Sequence, residues 1–359
     1  MQKRLTKKER FFNNINLTAD DEVYVGIDVH KVKYHVAIWL NNGIALTFVT
    51  PSDNLEIAHT LSKLTPGLKQ IVYEAGPTGF SLARTLAAFS LPIAVIAPSK
   101  TLRPSAPVSK SDRLDCRKLA AFAAKDLLVE VAVPTELQEA DRQVVRLRNQ
   151  LGDKRARIKQ QIKSFLLQHH ITEPAGLVDW TLKSIADLKK LKLCPQLRFT
   201  LDVTLDELEY LNKQLKLVDA QLRKIFKEDH HIRQMEILQS HPGIGPITAR
   251  QFRSEVFSHE RFEKSTQVTR YLGLCPRVSQ SGQKRVEGRL MKQGQIKLRA
   301  NLVESAWSWI RVDPVAKETF RRLLSNTGEP NKAIAAMARR LAVHLWKMLC
   351  DDALYRKAA

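Results

Sequence analysis

Four carboxylates in the first third of the chain, Asp28, Glu74, Asp112 and Asp115, stand where paired metal ligands would be needed, and acids bridged by cations over a phosphate do phosphodiester chemistry. Asp28 lies within the apolar, β-branched run Val23-Tyr24-Val25-Gly26-Ile27-Asp28-Val29, and Glu74 ends a second run, Gln70-Ile71-Val72-Tyr73-Glu74. Asp112 and Asp115 are three apart at the start of a helical stretch, so they share one face. An acid in an otherwise apolar strand costs roughly 1–3 kcal/mol of desolvation unless a cation or hydrogen bonds compensate it. Any one of the four is explained as well by a turn or a helix N-cap. The order strand, strand, helix pair is harder to explain that way and points to shared metal ions.

The elements that must hold these acids follow from the apolar pattern. Strands are expected at Val23–Val29, Lys33–Leu40, Gly43–Thr50, Gln70–Glu74 and Ile93–Ile96, and helices near Asn54–Leu64, Gly79–Phe89 and Ser111–Leu128. Tight links such as Asn41-Asn42-Gly43 imply an antiparallel meander of the first three strands, and later strands alternating with helices imply parallel additions. The sum is an α/β domain: a mixed sheet covered by helices, as in ribonuclease-H-like folds. Past Pro134 the strands stop. Val144, Leu147, Leu151, Ile158, Ile162 and Phe165 mark one long amphipathic helix, and Leu205 to Ile225 mark another that pairs with it as a coiled-coil hairpin or a plain bundle linker. From about His231 the chain reads as all-α. The expected order is a basic tail over 1–20, a catalytic domain over 21–133, long helices over 134–230 and a helical domain over 231–359.

A net charge of +21 on 359 residues, from 58 Lys and Arg against 37 Asp and Glu, calls for a polyanionic partner, nucleic acid first. The excess is local: residues 141–170 carry Arg142, Arg146, Arg148, Arg155 and Lys159 among other cations, which suits a helix that contacts a phosphate backbone. The loop His241-Pro242-Gly243-Ile244-Gly245-Pro246 places Gly243 and Gly245 before a helix start, where backbone amides approach phosphate closely, or else makes a tight turn between packed helices. Four scattered cysteines argue against both a zinc site and a disulfide framework, and the pairs His169-His170 and His230-His231 have no matching partners for ligation. No apolar run approaches the ~20 residues of a membrane span. A cytoplasmic, nucleoid-associated protein without a membrane partner is expected.

A second reactive group lies in the polar segment 273–285, which holds Ser279 and Ser281 amid Arg277, Lys284 and Arg285 and is followed by Arg289 and Lys292. Cations around a small hydroxyl can stabilise a pentavalent phosphate during attack by serine, although a serine beside a glycine is more often a turn residue.

Taken together, these residues resemble the IS110 family of insertion-sequence transposases. Its Gly-Ile-Asp strand motif followed by Lys matches Gly26-Ile27-Asp28-Val29-His30-Lys31, and its Glu-Ala/Ser-Gly motif matches Glu74-Ala75-Gly76. Its Lys-Thr-Asp-x-x-Asp-Ala motif matches Lys110-Ser111-Asp112-Arg113-Leu114-Asp115-Cys116, with Ser and Cys for Thr and Ala. The block Gly273-Leu274-Cys275-Pro276-Arg277 also looks like the family's, and its serine before a glycine falls on Ser281, with Ser279 two residues away. The resemblance implies a RuvC-like domain whose DEDD acids bind Mg²⁺, and a C-terminal domain in which Ser281 forms a covalent link to a DNA 5′ phosphate. It also implies element and target DNA and a noncoding guide RNA as partners, in a dimer or tetramer. Other readings are a two-metal junction-resolving nuclease without serine chemistry and an architectural nucleic-acid binder. An actin-like phosphate loop is disfavoured by the bulky His30-Lys31-Val32-Lys33 after Asp28.

Overall fold

A computed structural model describes residues 5–98, 112–281, 284–291 and 294–356. The chain divides into two compact units, Met1–Pro134 and Thr135–Ala359.

The first unit contains β1 (Val23–Val29), β2 (Lys33–Leu40), β3 (Gly43–Pro51), β4 (Leu68–Glu74), β5 (Ile93–Ile96) and β6 (Glu130–Val131), with α1 (Lys7–Asn14), α2 (Asn54–Ser62), α3 (Ser81–Ala88) and α4 (Asp112–Ala123). The strands form one sheet in the order β3-β2-β1-β4-β5-β6. β1, β2 and β3 pair antiparallel, and β4 and β5 add in parallel, so the expected meander with parallel additions is observed. β6, too short to announce itself, closes the edge antiparallel to β5.

The alternation of side chains along a strand decides which helices cover which face. Val23, Val25 and Ile27 of β1 join Ile71 and Tyr73 of β4 in the core beneath α2 and α3. The opposite face packs Val72 and Ile96 against Leu119 and Ala123 of α4, and Ala37 against Cys116 and Ala120.

Residues 7–14, expected within a basic tail, form α1 instead. Thr6 and Glu9 make a reciprocal capping box, and Phe11 and Phe12 pack on the sheet, the Phe12 ring lying 6.1 Å from that of Phe48. Two phenylalanines on one short helix anchor it despite its charges.

The second unit comprises α5 (Glu136–Gln168), α6 (Leu182–Lys189), α7 (Pro195–Ile225), α8 (Asp229–Ser240), α9 (Pro246–Val256), α10 (Ser265–Tyr271), β7 (Pro276–Ser281), β8 (Lys284–Leu290), α11 (Ile296–Val312), α12 (Pro314–Thr327) and α13 (Pro330–Cys350). α5 and α7 are the two long amphipathic helices, and they pair through Leu151, Ile158 and Ile162 against Leu205, Leu208 and Leu215. A second core gathers α8, α9, α11 and α13 around Phe252, Leu302, Met337 and Leu341. The segment expected as a polar loop in an all-α region is an antiparallel hairpin, β7 with β8. No described helix is long and apolar enough to cross a membrane.

His241, buried at the end of α8, rests its ring 4.9 Å from Trp309 and 4.4 Å from Tyr355, and burial pushes its imidazole down to about 4. The unfolded chain accepts a proton there near the ordinary value of 6.5, which the folded chain refuses down to about 4. Stability from this group is therefore complete above pH 6.5 and is lost as pH falls toward 4, by about 3 kcal/mol in all. His231 and His344, also depressed by burial, act in the same direction. Urea unfolding followed between neutral pH and about pH 5 is expected to show this decline, and His241→Phe should flatten it.

Candidate functional site

The register of the parallel pair β1–β4 aligns Ile27 with Tyr73, so Asp28 and Glu74 are the next residues on adjacent strands, roughly 4.8 Å apart across the ladder. Both belong to the alternation that faces α4. That helix lies unusually low on the sheet. A Cβ added to Gly26 would fall 2.2 Å from the Cys116 carbonyl oxygen and 2.5 Å from the Ala120 nitrogen, so only glycine permits this approach. Small residues on the helix, Cys116 and Ala120, complete the fit.

The low seat of α4 brings its first turn to the strand ends. Cys116 reports the proximity: its thiol is pushed up to about 11, first by burial and then by the negative charge of Asp28. Asp115 precedes it on the same turn, and its carboxylate accepts from Lys118 Nζ at 3.5 Å. The backbone of Asp112 opens α4 one turn before Cys116; its side chain lies outside what the structure describes. Asp28, Glu74 and Asp115 are each half-exposed, and α4 begins at Asp112, but the carboxylate oxygens of these three described acids are not drawn within 4.8 Å of one another as a ready-made ligand set would be.

Sequence reasoning missed the histidines beside Asp28. His30 Nε2 donates to Asp28 Oδ2 at 3.0 Å, and His35 sits directly across the antiparallel ladder from Asp28. The two rings meet edge to face at 5.8 Å. The signal was present: His30 is two residues beyond Asp28, and the hairpin register fixes His35 opposite.

Among the described residues, the group of three ligand-bearing side chains drawn within 4.8 Å of one another is a different one, Asp141, His230 and His231. Asp141 and His231 are 90 residues apart, so no local spacing announces it. His231 Nε2 donates to the buried Asp141 carboxylate at 2.9 Å, tying α8 to the first turns of α5. Burial, the cationic Arg253 and neighbouring His230 hold the His231 imidazole below its ordinary value, so it stays neutral, and this hydrogen bond accounts for the cluster.

Ser281 ends β7 and pairs in register with Lys284, while Ser279 pairs with Val286 and Gln280 with Arg285. The backbone places both serines near the hairpin's end, with Lys284, Arg285 and Arg289 on the returning strand; their side chains lie outside the described ones. Arg277 is exposed, and Lys292 lies outside the described residues.

The basic helix α5 is divided in use. Arg146 grips the buried Glu255 with two bonds of 2.9 Å, so it ties α5 to α9. Lys159 Nζ lies 5.0 Å from the Trp180 ring centre, where burial depresses its pKa. Arg155 instead lines an open cleft together with Gly243. Gly245 caps α9 without contributing a side-chain bond.

Residues 235–321 match the family described as transposase IS116/IS110/IS902, and residues 25–171 match the DEDD transposases of the IS110 group. A Sinorhizobium fredii protein, y4rJ, described as a transposase, is 30% identical over 77% of this chain and 76% of its own length. The transposase for insertion sequence element IS1111A of Coxiella burnetii is 25% identical over 97% of this chain and 95% of its own. The transposase for IS1533 of Leptospira borgpetersenii is 27% identical over 91% and 95%. The solved T. thermophilus RuvC in complex with Holliday junction substrate overlays 31% of this chain and 99% of its own at 10% identity, with a TM-score of 0.21.

Proposed function

The chain belongs to the IS116/IS110/IS902 family of insertion-sequence transposases, and on that footing we propose that it cuts and rejoins DNA with two kinds of group: the acids Asp28, Glu74, Asp112 and Asp115, and the hydroxyl of Ser281. The observation that supports this reading is the neighbouring position of Asp28 and Glu74 at the ends of β1 and β4, with α4, which begins at Asp112, seated closely on the same face of the sheet at Gly26.

Carboxylate oxygens on a half-exposed face are the hard donors that suit Mg²⁺. When bound there, Mg²⁺ supplies Lewis acidity at the scissile phosphate. The chain's own residues do the rest. The His30 bond to Asp28 fixes that carboxylate's rotamer, and Lys118 steadies Asp115. Ser281 forms an Oγ–P bond as the P–O3′ bond breaks; the hydroxyl gives up its proton and the departing 3′ oxygen gains one. Arg277, Lys284, Arg285, Arg289 and Lys292, crowded along this stretch of sequence, offset the charge that builds on the phosphate.

The DNA partners are the element and its target. The net charge of +21 exceeds what a small set of DNA contacts needs and suits a noncoding guide RNA as a further partner, whose base pairing would carry sequence choice. A dimer or tetramer would hold the two DNAs together.

Ser281→Ala separates this reading from a metal nuclease that uses the acids alone. With a circular element junction, target DNA, candidate RNA and Mg²⁺, the native chain is expected to yield a protein–DNA adduct on denaturing gels. The variant should yield none and no recombinant product. Cleavage at the native rate by Ser281→Ala would favour the nuclease.

A further inference from the structure

Within the second unit, α5, the loop before α9 and α11 enclose an open cleft of about 500 Å³. We propose that this cleft is the seat of a duplex DNA backbone, held by Arg148 and Arg155 of α5, Lys297 and Arg311 of α11, and the first amides of α9. The inference rests on the transposase reading only in taking DNA as the polyanion.

Three independent features point to a ligand. Four cations line the cleft against two acids, Asp153 and Glu304; Lys297 is ion-paired with Asp153 and Arg148 with Asp219 of α7, so Arg155 and Arg311 carry the charge offered to a ligand. Ile247 and Thr248, in the first turn of α9, line the same wall. No side chain caps that turn, because Gly245 is the N-cap. Its unsatisfied N–H groups and dipole favour an anion. Gly243, at φ +91°, lets this loop lie against α11: an added Cβ would meet the Ser305 carbonyl at 2.6 Å.

The third feature is Gly152. It sits in the middle of the 33-residue helix α5, lines the cleft, and a Cβ built there would meet nothing within 4 Å. Glycine inside a helix is a cost that no packing in the fold explains here. Close approach of a ligand to the helix backbone does explain it.

The lining also selects the kind of nucleic acid. Among the described residues around the cleft there is no aromatic ring on which an unstacked base could lie; the neutral polar groups are short, such as Asn149, Thr248, Asn301 and Ser308. Single-stranded RNA is held mainly by base stacking, whereas a duplex is gripped through its phosphates. The fit is to a duplex backbone.

The test uses the full chain with EDTA present, reading fluorescence anisotropy of a labelled DNA duplex, a matched RNA duplex and an RNA hairpin across a salt series. Arg155→Ala and Arg311→Ala are each expected to weaken DNA binding at all sequences and to lower the salt slope by about one. Arg321→Ala, an exposed cation on α12 outside the cleft, should leave the slope unchanged. Gly152→Leu should weaken DNA binding about tenfold or more while the melting temperature holds or rises, since leucine is the better helix former. That opposition of sign is what a merely structural role for Gly152 would not give. DNA affinity and slope unchanged in Arg155→Ala, Arg311→Ala and Gly152→Leu would overturn the proposal, as would losses confined to either RNA. Asp28→Asn keeps binding in the cleft while losing catalysis, so failure of the catalytic reading and failure of this one are told apart.

Discussion

Asp28→Asn is expected to reduce metal-dependent strand cleavage and transfer by about a thousandfold or more, the equivalent of about 4 kcal/mol of lost transition-state stabilisation. The substitution keeps the shape of the side chain and its place beside His30, which donates to Asp28 Oδ2. It removes one negative charge beside Glu74 on the neighbouring strand, so thermal stability should hold or rise slightly. Loss of activity with retained stability marks a residue kept for chemistry at a cost to the fold. Single-turnover assays on a preformed DNA complex, paired with thermal melts, measure both sides. Activity within tenfold of the native chain would remove Asp28 from the mechanism.

The second large effect is expected at Gly26, which touches no substrate. Gly26→Ala forces a methyl group into the space occupied by the Cys116 carbonyl and the Ala120 nitrogen, both backbone atoms of α4 that cannot rotate away. The helix must lift. Overpacking of this kind costs about 1–3 kcal/mol in a well-packed core, and the loss of a seat for α4 places this case at the upper end. Because Asp112 and Asp115 begin that helix, lifting it also moves them relative to Asp28 and Glu74, and if the four act together as proposed, activity should fall by about two orders of magnitude, since small misplacements of catalytic groups are costly. Hydrogen exchange should show faster opening of α4 while α2 and α3, on the other face, keep their protection. A native-like rate in Gly26→Ala would mean that the seating of α4 does not set the site.

These two residues show what was legible in the chain and what was not. The strands bearing Asp28 and Glu74 could be read because apolar, β-branched runs bounded by turn residues leave few alternatives. β1, β2 and β5 fall at their expected limits. The role of Gly26 could not be read, since it depends on a helix some 90 residues later settling on that strand. α1 was hidden by its charges, although Thr6 and Glu9 carried the capping-box spacing and Phe11 and Phe12 the anchor. The hairpin β7–β8 was hidden because its strands are polar and lack an apolar alternation. The basic face of α5 was visible as charge, but not its division: Glu255, Trp180 and the α11 wall, all remote in sequence, decide which cations hold the fold and which face the cleft.

The proposed chemistry requires Asp28, Glu74, Asp112 and Asp115 to hold divalent cations over a nucleic-acid backbone. Crystals of the chain with DNA, soaked in Mn²⁺ and measured at the manganese edge, test it most directly. Anomalous peaks are expected between the ends of β1 and β4 and the first turn of α4, disappearing in Asp28→Asn. Peaks elsewhere, as at Asp141, His230 and His231, with none on that face of the sheet, would contradict it.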